Sequence, residues 1–205
     1  MFDRAAIALL APALNRGAAW LARAGVHADS VTWAGFGLGV AAAVAISMQA
    51  WHLGLALMLI SRVADGLDGA LARHRNEASA RGAFLDITLD FLFYALVPLG
   101  FAWADPAANA LAGATLLAAF IGTGSAFLAY AVLAERQGIE SLAYPRKGFY
   151  YLGGLTEATE TLACFSLMCL WPAWFSAIAY VFAGLCLATI VTRVLAGWRQ
   201  FGRTD

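Results

Sequence analysis

The stretch "SRVADGLDGALARHRNEASARGAFLDITLDFLF", Ser61 to Phe93, places four aspartates, four arginines and three glycines inside an otherwise apolar chain. Its surroundings set the class. Of 205 residues, 62% are hydrophobic and 13% charged, and the mean hydropathy is +0.73; a soluble domain carries roughly twice that charge. A bilayer core of about 30 Å needs about 20 apolar residues per spanning helix. Six such stretches follow one another between short polar or Gly/Pro breaks: residues 30–50, 53–73, 82–103, 108–134, 155–172 and 174–198. The expectation is one membrane domain over residues 1–205, all α and integral to the membrane. It has an interfacial amphipathic helix within 1–28 and a bundle of six transmembrane helices over 29–205.

The first segment, Phe2 to Ala24, sets Arg4, Asn15, Arg16 and Arg23 around one side and Phe2, Leu9, Leu10, Leu14, Trp20 and Leu21 around the other. That is the pattern of a helix lying in the membrane interface. Pro12 breaks the apolar run and no small-residue cleavage site precedes a mature domain, so a cleaved signal peptide is not expected.

Orientation follows from the cations. Arg4, Arg16 and Arg23 precede the first span; Arg73, Arg75 and Arg81 join the second and third; Arg136, Arg146 and Lys147 join the fourth and fifth; Arg199 and Arg203 follow the sixth. With six spans all of these fall on one side. The opposite connections, at Gln49 to His52, at Asp105 with Pro106 and at Trp171 to Trp174, hold no Lys or Arg. The positive-inside rule makes the cationic side cytoplasmic, with both termini there and the protein in an inner or plasma membrane. The zero net charge hides a face suited to anionic headgroups and phosphates, and nothing in it suggests nucleic acid. Cys164, Cys169 and Cys186 lie in apolar helices at spacings that make no metal or redox motif, which reads as core packing. His27, His52 and His74 lack partners at useful spacing.

Helical periodicity turns the quoted stretch into a site. Asp65, Asp68, Gly69 and Ala72 share one face at the end of the second span, and Gly82, Asp86 and Asp90 step by fours along the start of the third. A short connection, His74 to Arg81, lets these faces turn toward each other and gather four carboxylates around one cavity near the cytoplasmic boundary. Like charges so close need cations. Arg62 and Arg73 can pair with part of the cluster, and an all-oxygen set without His or Cys selects the hard ions Mg²⁺ or Mn²⁺, with enough carboxylates for two. Gly69, Ala72 and Gly82 let another surface approach. That surface is either a neighbouring helix or a flat ligand, such as a nucleobase with its phosphates on the ions.

The pattern Asp65-x-x-Asp68-Gly69-x-x-Ala72-Arg73, eight residues, then Gly82-x-x-x-Asp86-x-x-x-Asp90 resembles without a departure the signature of the CDP-alcohol phosphotransferases, integral membrane enzymes of phospholipid synthesis. The resemblance extends over nearly the whole chain. Upstream, "GVHADSVTWAGF" resembles the family's Pro-Asn-x-x-Thr lead into the first span, with Thr32 kept but Ala28 and Asp29 where Pro and Asn are usual. The resemblance implies transfer of a phosphatidyl group from a CDP-alcohol, usually CDP-diacylglycerol, to the hydroxyl of an acceptor alcohol, small or lipid, with release of CMP. It implies Asp65, Asp68, Asp86 and Asp90 as ligands of two metal ions and Asp90 as the base. It also implies Gly69, Ala72, Arg73 and Gly82, with Thr32, as the CDP-binding surface, and a homodimer among membrane lipids.

For the acceptor, Arg146 and Lys147 offer a phosphate site, Glu157 and Glu160 a site for an amine or polyol, and Arg193 a further phosphate contact. The plainer readings are interfacial cations and a helix start favoured by its dipole. Two other functions compete: an aspartate-rich membrane prenyltransferase, expected to carry two separated Asp-rich motifs, and a divalent-cation transporter, expected to carry acidic residues deep in several spans.

Overall fold

Each of the six apolar stretches forms a helix whose ends fall within three residues of those expected. The structure, a computed structural model, describes residues 3–138 and 156–202; among them there is no strand. In chain order the helices are α1 (Asp3–Arg23), α2 (Ala28–Ser47), α3 (Trp51–Arg75), α4 (Ala80–Ala104), α5 (Pro106–Arg136), α6 (Ala158–Leu170) and α7 (Phe175–Phe201), with a 3-10 turn at Pro172–Trp174 before α7. Four are long and apolar enough to cross a membrane: α2, α4, α5, and α7 with its leading turn. Helix α3 is as long as α4, 25 residues, but carries the charges of the opening stretch, and α6 is apolar yet only 13 residues long.

Outward faces fit a bilayer, not water. Leu111, Ile121 and Val181 are 74%, 70% and 67% exposed, an arrangement a soluble protein avoids. Inside, helix α2 packs on α3 and α4, α4 on α5, α5 on α7, and both α1 and α6 on α3. Small residues set these approaches, since apolar side chains gain little by leaving lipid for each other. A Cβ on Gly100 of α4 would stand 2.7 Å from the Ala43 carbonyl oxygen of α2, so those backbones meet only because Gly100 has none. Ser61 Oγ of α3 donates to the Gly35 carbonyl of α2 at 2.7 Å.

The core lies between these contacts. Phe93, Phe101, Phe165, Phe175, Ile46, Met58 and Leu116 are fully buried, and Trp51, Phe101 and Phe175 stack in series, with centroids 5.3 and 4.5 Å apart. Below the stack, Asn109 Nδ2 donates to the Phe101 carbonyl at 3.0 Å and Ser176 Oγ to the Ala108 carbonyl at 2.7 Å, tying α4, α5 and α7 together. The three cysteines are buried free thiols in this core, as their spacing suggested. An apolar cleft of about 620 Å³ separates α6 from α7, lined by Cys164, Leu167, Trp174 and Val181 among others.

Helix α1 divides its apolar side. Leu14 and Leu21, with Ala18, pack on Ala70 and Leu71 of α3, while Leu9, Leu10 and Trp20 remain exposed. Gly17 admits this docking, because a Cβ there would lie 2.8 Å from Leu67.

Gly100→Val is expected to destabilise the bundle by about 1–3 kcal/mol through overpacking. Gly37→Ala, at a helical position with nothing within 4 Å, is expected to be neutral or stabilising by up to about 1 kcal/mol. Thermal unfolding in detergent, followed by far-UV circular dichroism, checks both.

Candidate active site

The turn between α3 and α4 builds the site. Asn76 adopts φ 55°, ψ 34°, the left-handed conformation that Asn tolerates better than most residues. The Glu77 N–H reaches the Ala72 carbonyl at 2.9 Å and the Asn76 N–H the Arg73 carbonyl at 3.3 Å, which closes α3 with a Schellman motif. Arg75 holds the turn down by donating to the Val26 carbonyl at 3.0 Å and to Glu77 Oε1 at 2.9 Å. Ser79 then opens α4, its Oγ accepting from the Gly82 N–H at 3.1 Å. Three loop residues therefore separate Asn76 from Ala80, and the two aspartate-bearing faces confront each other.

Three of the four aspartates meet. Carboxylate oxygens of Asp65, Asp86 and Asp90 lie within 4.8 Å of one another. Asp68, one turn beyond Asp65, is 6% exposed, and its Oδ2 is buried without a hydrogen-bond partner among the described residues. The Thr32 hydroxyl of α2 donates to the Ala28 carbonyl at 3.1 Å and lies beside the Asp68 carboxylate. A buried carboxylate oxygen with no protein donor is costly, and a hard cation meets that need. All-oxygen donors from the ends of two facing helices fit such an ion.

Among the described residues, Gly69 and Gly82 pack against no neighbouring helix. A Cβ at Gly69 would meet only the Arg73 guanidinium, 3.3 Å away, and one at Gly82 only Ser79 Oγ, at 3.4 Å. Neither Cβ would have a described atom of a neighbouring helix within 4 Å, unlike one at Gly100. Ala72 is half-buried and Arg73 exposed, so the surface beside the aspartates is uncovered by the described residues.

Two ion pairs complete the site, and the fold makes both across long separations. Arg62 pairs with Asp90 and lies 3.7 Å from Asp65 Oδ1. Spacing alone reveals only the second partner, three residues away. Arg81 pairs with Asp29, joining the first turn of α2 to the first turn of α4 beside Gly82. The departure at Asp29 thus has a structural counterpart, which the distance of 52 residues hid.

The acceptor residues stand apart in character. Arg193 is buried on α7, donating to the Thr123 carbonyl at 3.2 Å and lying 5.7 Å from the Phe127 ring. Glu157 and Glu160 cap α6 reciprocally, each side chain accepting from the other's backbone N–H. This local role accounts for their spacing. Arg146 and Lys147 lie outside the described residues.

A family model described as CDP-alcohol phosphatidyltransferase matches residues 26–195. The chain belongs to this family. It is 51% identical over 198 residues to the inner membrane protein YnjF of Escherichia coli (strain K12), covering 97% of this chain and 96% of that one. Over 78 residues, 38% of this chain and 40% of the other, it is 38% identical to the archaetidylinositol phosphate synthase of Methanothermobacter thermautotrophicus. In fold it is similar to the phosphatidylinositol phosphate synthase of Mycobacterium tuberculosis with CDP-DAG bound, with a TM-score of 0.71 at 24% identity over 90% of this chain and 93% of that. The same enzyme in complex with manganese and citrate gives 0.70 at 24% identity, over 90% and 88%. Membership in a family of phospholipid-synthesis transferases sets aside the prenyltransferase and cation-transporter alternatives.

If the turn sets the register of the two aspartate faces, Asn76→Gly is expected to preserve stability. Asn76→Val is expected to cost about 1–2 kcal/mol through left-handed strain. Parallel thermal melts of the two variants test this.

Proposed function

We propose that this protein transfers a phosphatidyl group from a CDP-alcohol, CDP-diacylglycerol first among them, to the hydroxyl of an acceptor alcohol, releasing CMP. The observation that carries this reading is the convergence of Asp65, Asp86 and Asp90 within 4.8 Å beside two glycines that meet no neighbouring helix among the described residues. Clustered carboxylates, next to a surface a flat base can approach, suit metal ions that carry a nucleotide pyrophosphate.

Asp65, Asp68, Asp86 and Asp90 would hold two divalent ions, Mg²⁺ or Mn²⁺, whose chemistry when bound is to neutralise the pyrophosphate and the departing oxygen of an in-line displacement. Gly69, Ala72 and Gly82, with Thr32, form the cytidine side of the donor surface, and Arg73 meets the pyrophosphate. Asp90 accepts the proton of the acceptor hydroxyl as its oxygen bonds to the phosphorus next to the lipid. The bond from that phosphorus to the bridging oxygen breaks, and the oxygen leaves with CMP. Acceptor recognition falls to Arg193 with Arg146 and Lys147 for a phosphorylated alcohol, or to Glu157 and Glu160 for an amine or polyol. The archaetidylinositol phosphate synthase relationship supports the first.

The same proposal includes six spans, with α3 and α6 crossing beside the four apolar helices, and α1 lying in the interface with Leu9, Leu10 and Trp20 in lipid. The one-sided distribution of Lys and Arg supports a cytoplasmic site and cytoplasmic termini in a bacterial-type inner membrane. There the cytidine meets water while the acyl chains stay in the bilayer. The protein acts as a single domain and as a homodimer.

Asp90→Asn is expected to lower CMP release at least a hundredfold or so while leaving CDP-diacylglycerol binding within about twofold. Turnover at the normal rate would remove Asp90 from the base role. Gly82→Leu is expected to weaken donor binding about tenfold, ~1.4 kcal/mol, with no loss of melting temperature. Unchanged affinity would show that the nucleotide does not use this face.

A further inference from the structure

Arg62 is held on several sides. Its Nη1 pairs with Asp90 and lies 3.7 Å from Asp65 Oδ1, its Nη2 donates to Ser61 Oγ at 3.3 Å, and its Cζ sits 3.8 Å from the centroid of the Phe93 ring. Phe93 is fully buried, and Ser61 is itself fixed by its 2.7 Å bond to the Gly35 carbonyl. The side chain is 13% exposed. A guanidinium cannot shed its charge in a protein, and its flat face suits a ring while its edges suit carboxylates. These contacts make a socket for a permanent cation, set against two of the three aspartates whose oxygens converge.

We propose that Arg62 is a resident counter-cation of the aspartate cluster, competing with divalent metal for Asp65 and Asp90 and holding Asp90 oriented as the base. This rests on the metal-dependent reading above. Arg62 meets both aspartates at Oδ1. The pairing has two consequences. A fixed positive charge beside the cluster weakens metal binding, and Asp90 is drawn toward α3, so it does not become a purely metal-bound ligand. Arg62 is therefore a positioning residue that trades metal affinity for a usable base.

The test is Mn²⁺ binding to the detergent-solubilised full chain, read by the electron paramagnetic resonance signal of free Mn²⁺, beside turnover. Removing the charge in Arg62→Met is expected to tighten Mn²⁺ roughly fivefold to tenfold, as expected from deleting one nearby unit charge. Turnover is expected to fall about tenfold with the KM for the CDP-lipid unchanged. Arg62→Gln, which keeps donors for Ser61 and Asp90 but no charge, is expected to show the same tightening and carries the test if the Met variant does not fold. Arg62→Lys is expected to return Mn²⁺ affinity to near the starting value. A merely structural arginine would leave the metal affinity unchanged or weaker once removed, and that result in a folded uncharged variant overturns the proposal. Mn²⁺ binding to neither the starting protein nor any variant would overturn the metal site itself, and with it the competition.

Discussion

Carboxylates on facing helices with oxygens within 4.8 Å repel one another by roughly 3 kcal/mol per ionised pair at an effective dielectric of about 20, before solvent screening. Two helix ends would splay under that force. What opposes it is largely local: the Schellman close at Asn76, the Ser79 cap, Arg75 fastened to the Val26 carbonyl, and Arg62 placed between Asp65 and Asp90. Beyond the site, the packing of α2 on both helices fixes their spacing, through Ser61 to Gly35 on one side and Gly100 against Ala43 on the other. Stability and site geometry are thus linked through the same few contacts, and the aspartates are held together by the helices around them.

Much of this was legible in the sequence because the bilayer simplifies the problem. Long apolar runs can only be helices in lipid, where every backbone polar group needs an internal partner, and their ends followed from breaks such as Asp105 with Pro106. Helical spacing also put Asp65 with Asp68, and Asp86 with Asp90, on single faces, and the turn residues did the rest. Contacts that depend on which helices become neighbours were not legible. Arg62 to Asp90 spans 28 residues and Arg81 to Asp29 spans 52, distances at which spacing carries no information. The capping box at Glu157 and Glu160 was missed because its N-cap is a glutamate, whereas the usual signal is Ser, Thr, Asp or Asn. Asp68 also departs from the simple picture of four equivalent ligands, being buried one turn away from the three that converge.

The glycines show how structure separates two readings that composition leaves open. Gly100, Gly39 and Gly17 each stand where a Cβ would press on a neighbouring helix, within 2.8 Å. Gly69 and Gly82 face no neighbour of that kind among the described residues. Residues of one type thus serve the bundle in one place and leave space beside the carboxylates in another. That space lies toward the ends of α3 and α4 that carry Arg73, Arg75 and Arg81. The exposed apolar side chains of α5 and α7 keep the rest of the molecule in lipid.

Metal-dependent transfer from a CDP-linked lipid is the reaction proposed for the aspartate cluster. The most direct measurement is CMP release from CDP-diacylglycerol by the purified protein, with Mg²⁺ or Mn²⁺ and with chelator. The acceptor panel is glycerol 3-phosphate, inositol, inositol phosphate, serine, choline and phosphatidylglycerol. The expected result is CMP release that requires both a metal and one particular acceptor and stops with chelator. CMP release that persists undiminished in chelator, or a folded protein that neither binds CDP-diacylglycerol nor releases CMP with any acceptor, would contradict it.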